Sequence, residues 1–69
     1  MRFLVILEKD EDGYYGYCPE LPGCHTQGES LEEVIKNIKE AIELYLETLE
    51  PEELESLKNK QVLSTFVEV

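Results

Sequence analysis

The chain opens on an unbroken apolar run, Phe3-Leu4-Val5-Ile6-Leu7. With its flanks, residues 2–9 predict a strand in which Phe3, Val5 and Leu7 face one way and Leu4 and Ile6 the other. Both faces are apolar, so the strand is expected to be covered on both sides, by a helix and by a second subunit. Asp12-Gly13 is a two-residue hairpin signal between apolar runs. A second strand follows over about Tyr14 to Cys18, its aromatics suited to a pleated surface, and Pro19 ends its pairing for want of an N–H. Leu21-Pro22-Gly23-Cys24 fits a type II turn: Pro22 presets φ at the second position and Gly23 tolerates positive φ at the third. A short third strand then runs from about Cys24 to Gln27, and Gly28 releases it.

From Ser30 the period changes from two to 3.6. Ser30 with Glu33 three residues on predicts a capping box. Leu31, Val34, Ile35, Ile38, Ala41, Ile42, Tyr45 and Leu49 follow as one wide apolar stripe, and the helix is expected to reach about Thr48. Pro51 stops it and starts a short helical turn. Residues 61–69 return to alternation, with Leu63, Thr65, Val67 and Val69 against Val62, Ser64, Phe66 and Glu68, and predict a final strand. The order is β-β-β-α-β: an α+β fold, one antiparallel sheet crossed by one long helix, in a single domain over residues 1–69. No linker, repeat or low-complexity tract interrupts it.

Size and charge then narrow the function. A domain of 69 residues seldom holds more than roughly 3–5 kcal/mol of net stability, and usually adds a metal, disulfides or oligomerisation. A homodimer or larger assembly is expected, with Phe66 and Val67 of the last strand supplying contact. The 16 acidic and 6 basic residues give a net charge of −10. Such a field opposes binding to nucleic-acid phosphates and to anionic membranes; it suits either a basic protein partner or plain solubility. The opening apolar run is too short for a signal-peptide core or a membrane span, so a cytoplasmic setting is expected, with Cys18 and Cys24 as reduced thiols.

One long stretch carries a more specific signal: DGYYGYCPELPGCHTQGESLEEVIKNIKEAIELYLE. Gly13 and Tyr15 stand in an aromatic hairpin. Glu20 to Cys24 form an acidic-Leu-Pro-Gly-Cys turn. Gly28, the Ser30 cap, Leu31 to Glu33 and an amphipathic helix to Glu47 follow. This arrangement resembles the HicB family of antitoxins. The resemblance implies a partial ribonuclease-H-like fold, in agreement with the element order above. It also implies a non-enzymatic protein, without cofactor, that binds and neutralises a small, basic HicA-like mRNA-cleaving toxin. Longer HicB proteins carry a C-terminal DNA-binding domain; these residues hold none, so direct operator binding is not expected.

Cys18, Cys24 and His25 fall short of the four paired ligands of a closed zinc site, and the two cysteines serve better as small apolar side chains than as a disulfide. Cys24 and His25 are neighbours on a strand, point to opposite faces and cannot form a nucleophile–base pair. Two-metal nuclease chemistry needs carboxylates converging from several elements. Asp10, Glu11 and Asp12 share one turn, and only Glu8 and Glu20 could join them. No catalytic, metal or cofactor residue is therefore assigned. Tyr15 and Tyr17 share one strand face, opposite Tyr14, and are divided between core and partner contact. Glu40, Glu43, Glu47 and Glu50 follow Lys39 without a further cation. They form either a solubility face or, through Glu43 and Glu47, a landing patch for a basic toxin. Glu32–Lys36 and Lys39–Glu43 are supporting pairs. The competing functions are a free-standing oligomeric module for another partner or ligand and, less favoured, a nuclease.

Overall fold

A computed structural model describes all residues from Met1 to Val69. Strands β1 (Ile6–Asp10), β2 (Gly13–Tyr17) and β3 (His25–Gly28) form an antiparallel sheet in the order β1-β2-β3. Helices α1 (Leu31–Glu47) and α2 (Pro51–Lys58) follow. The α+β architecture expected from the sequence is present. No helix is long and apolar enough to cross a membrane.

The β1–β2 hairpin pairs Asp10 with Gly13. The two loop residues are therefore Glu11 and Asp12, one position earlier than the Asp12-Gly13 signal suggests. The Asp10 carboxylate decides the shift, since its Oδ1 accepts the Asp12 N–H at 2.8 Å and closes a side-chain turn. At the other end, β1 begins at Ile6 opposite Tyr17 and not at residue 2. Continuing that register would set Leu4 opposite Pro19, which has no N–H to give. The chain turns there instead, with the Leu21 N–H bonded to the Cys18 carbonyl at 3.1 Å. The Leu4 N–H goes to Glu20 Oε1 at 3.3 Å, and Glu20 is drawn into the interior to accept it.

The turn at Leu21–Cys24 is as expected. The Cys24 N–H reaches the Leu21 carbonyl at 3.0 Å, and Gly23 has φ +82°, the third-position value of a type II turn. A further bond, Cys18 N–H to Cys24 carbonyl at 3.0 Å, ties the loop at its base. This folds Leu21 into the centre, where it and Val34 are fully buried. Each such side chain contributes about 1.5–3 kcal/mol of burial. Cys18, Cys24 and Ile38 complete the buried core, and Phe3, Val5, Ala41, Ile42, Tyr45 and Leu57 pack round it.

Helix α1 begins at the Ser30 cap, whose Oγ accepts the Glu33 N–H at 3.1 Å. The return bond of a capping box is missing at this helix, and the exposed Glu33 side chain faces solvent. The reach-back occurs instead at α2, where Glu53 Oε1 accepts the Glu50 N–H at 3.0 Å and Pro51 opens the helix. The start of α1 lies hard against β3: a Cβ on Gly28 would stand 2.7 Å from the Val34 nitrogen. Asn37 Nδ2 adds a bond to the Gln27 carbonyl at 2.9 Å. The helix covers β3 and β2, and β1 lies beyond its edge.

Two further expectations are corrected. The pairs Glu32–Lys36 and Lys39–Glu43 do not close; the one ion pair is Lys58–Glu55 at 3.8 Å. Exposed pairs gain little in water and lose side-chain freedom, so nothing holds them shut. The final strand also does not form. Residues beyond Asn59 join no sheet, and Leu63, Phe66, Val67 and Val69 are 81%, 104%, 75% and 121% exposed. The alternation of this tail is that of a strand, but a strand exists only against a partner, and the tail pairs with none in this chain. The sheet thus has three strands, and the fourth, which a ribonuclease-H-like order requires, is outside it.

Candidate functional site

Strand alternation divides the sheet into two faces. Gly16 faces the helix, since a Cβ there would meet Val34 Cγ2 at 3.4 Å. Tyr15 and Tyr17 therefore point to the opposite, uncovered face. The cross-strand register sets Tyr17 between Ile6 and His25, and Tyr15 between Glu8 and Gln27. The rings of Tyr15 and Tyr17 lie 5.8 Å apart, and those of Tyr15 and His25 5.9 Å apart, both within the range of favourable aromatic contact. The result is an open aromatic strip. It borders a shallow depression of about 310 Å³ that runs to Pro19, Pro22 and Gly23. Tyr14 faces the helix side at the sheet's far corner, with the Lys9 ammonium 5.8 Å from its ring centre.

The two thiols lie behind this strip, buried and unlinked. Burial pushes the Cys18 thiol above its ordinary range; the Glu20 charge adds to that, while the N–H groups of Glu20 and Leu21 and the charge of Lys60 oppose it. Burial, and then Cys18 itself, raises Cys24. Both are held as protonated thiols, poor nucleophiles and poor metal ligands at neutral pH. His25, next in sequence to Cys24, is exposed on the aromatic face. No three His, Cys, Asp or Glu side chains converge as a metal site would require. Asp10, Glu11 and Asp12 sit at the hairpin tip, whereas Glu20 is at the opposite end of the sheet beside Leu4.

Glu43 and Glu47 are exposed on α1. By helical phase they lie on the side away from the buried Val34 and Ile38. The tyrosines and these two carboxylates, both interface candidates, therefore point from opposite surfaces of the molecule. Its shortest principal extent is 17 Å. Phe66 and Val67 stand apart from both sets, on the free tail. Gly23, after Pro22, takes a positive φ in the turn, the Ser30 hydroxyl caps α1, and Glu33 contributes its backbone N–H to that cap.

One feature was not anticipated from the sequence. Beside β1, a groove of about 450 Å³ runs between Met1, Phe3 and Val5 on one wall and Ile35, Ile42 and Leu46 on the other. The signal for it was the width of the helix stripe, which extends past what β2 and β3 can cover.

These features define a small acidic α+β domain whose aromatic and charged side chains lie on open faces. Sequence comparison supplies the family. The chain belongs to the HicB-like antitoxins of bacterial toxin–antitoxin systems, whose family model matches residues 3–68. It is similar to a UPF0150 protein of Helicobacter pylori, 50% identical over 69 residues, covering 100% of this chain and 96% of that one. A UPF0150 protein of Archaeoglobus fulgidus is 62% identical over 48 residues, 68% of this chain and 70% of that one. A third, from Thermoplasma acidophilum, is 56% identical over 50 residues, 71% and 72% of the two chains. No solved structure matches.

Proposed function

We propose that this protein is the antitoxin of a type II pair, and that it binds and occludes a basic, HicA-like, mRNA-cleaving toxin without itself being an enzyme. The observation that carries the reading is the family match across residues 3–68. The net charge of −10 supports a cationic partner, because complementary fields speed encounter and disfavour wrong partners. The aromatic strip of Tyr15, Tyr17 and His25 is the docking surface best suited to lasting affinity. Rigid aromatics on an open sheet face lose little entropy on binding and exclude much water. Glu43 and Glu47, on the far side, act through the field and not by contact. The setting is cytoplasmic, and residues 1–69 act as one domain.

The test is direct. The small basic protein encoded beside this gene is purified, and its RNA cleavage is measured with and without the antitoxin. Stoichiometric inhibition, with a complex at micromolar concentration, is expected. A neighbouring toxin that neither binds nor is inhibited at that concentration refutes the assignment.

A further inference from the structure

The tail beyond Asn59, the bare edge of the first strand and the groove beside it are three unsatisfied features of one chain. We propose that they satisfy one another between two copies: Gln61–Val69 of each chain adds as a fourth strand along Phe3–Leu7 of the other.

The edge is open because β1 is the first strand of the sheet and only β2 pairs with it. The Leu4 N–H is turned inward to Glu20. Backbone alternation therefore sends the N–H and C=O groups of Phe3, Val5 and Leu7 to the outer edge, where the chain offers them no strand. Such an edge templates an added strand. The groove is mainly apolar, with Ile35 49% exposed on its helix wall and Lys39 and Glu43 the two charged residues of its lining. The tail carries what the groove lacks. Leu63, Thr65, Val67 and Val69 form one of its faces, and Phe66 on the other would extend the outer sheet surface beside Leu4 and Ile6. A second copy is the occupant indicated, because the tail leaves its own domain and its apolar side chains touch almost nothing there.

Charge points the same way. Two chains of −10 repel. Yet among residues 1–7 and 61–69 the only charged side chains are Arg2 and Glu68. The two strands thus meet along segments nearly free of acidic side chains, and the one carboxylate lining the groove, Glu43, shares that lining with Lys39. Length also fits. The nine-residue tail, roughly 30 Å when extended, is long enough to run the whole of Phe3–Leu7, roughly 17 Å. Exchange of an identical element is a low-barrier route to such a dimer.

Light scattering at micromolar concentration should give twice the mass of the 8.0 kDa chain. A variant ending at Lys60 and the groove variant Ile35→Glu should each be monomeric, with helical circular dichroism retained. Ile35 is half-exposed, so its substitution spares the core. Mixed one to one, the two variants restore one complete half: the tail of the second enters the groove of the first. A heterodimer is expected from the mixture, at reduced affinity. A monomeric full-length chain means that the tail folds back on its own β1, and overturns the proposal. So does a dimer that survives removal of the tail, or a mixture that shows no complementation.

Discussion

Gly28→Ala is expected to loosen the junction on which the whole layer packing depends. A Cβ at this position would lie 2.7 Å from the Val34 nitrogen, 3.0 Å from the Val34 Cα and 3.1 Å from the Glu33 carbonyl carbon. All three are backbone atoms of the first turn of α1, so no side chain can rotate away. Ordinary carbon contacts settle at about 3.5–4.0 Å, and the start of the helix must therefore lift by roughly 1 Å. Val34 is 0% exposed and moves with it. Overpacking of this kind costs about 1–3 kcal/mol. Restricting the unfolded chain returns about 0.4–1 kcal/mol, which leaves a net loss of about 1–2 kcal/mol. For a small protein with a urea slope of about 1 kcal/mol per molar, the midpoint should fall by about 1–2 M. Urea titration followed by circular dichroism, at one fixed protein concentration, measures it. An unchanged midpoint would mean that α1 does not lie this close to β3, and the account of the layer packing would fail.

Gly23→Ala tests backbone strain alone, since a Cβ there meets nothing within 4 Å; a loss of about 1–2 kcal/mol is expected from its left-handed conformation, and none would rule out the type II turn. Ser30→Ala should lower stability by about 0.5–2 kcal/mol through the lost cap, read from the same titration. Cys18 and Cys24 have raised native values, so the folded state keeps protons that the unfolded chain loses; their contribution is intact below the ordinary value of 9.0 and falls as pH rises from there towards the native values. Alkaline urea titrations of the wild type and of Cys24→Ala should therefore diverge above that pH, and parallel curves would contradict the burial argument. For toxin binding, Tyr17→Ala should mainly speed dissociation, while Glu43→Gln with Glu47→Gln should change association less than twofold at physiological salt, where screening acts over roughly 8 Å. Stopped-flow measurements that reversed this order would move the docking surface to α1.

Local chemistry made much of the fold legible in the chain. Pro22-Gly23 allows few turns other than type II, because each residue restricts φ in a different way, and the observed φ of +82° at Gly23 agrees. Ser30 marks the start of α1 because its hydroxyl oxygen accepts a first-turn N–H that has no carbonyl of the helix to reach. The 3.6-residue period from Leu31 and the alternation of Tyr14, Tyr15 and Tyr17 assigned helix and strand faces, and the run through the HicB-like turn and cap identified the family. Tertiary structure decided the rest. Residues 2–5 have the pattern of a strand, but Pro19 and the turn after it deny them a partner. Residues 61–69 have that pattern too and stand outside the sheet, because alternation records a preference for pairing and cannot say which chain supplies the other strand. That Tyr15 and Tyr17 face away from Glu43 and Glu47 also could not be read from either segment alone. The two elements are each amphipathic, and only their stacking, helix on one side of the sheet and open surface on the other, sets the aromatic and acidic faces on opposite sides of the molecule.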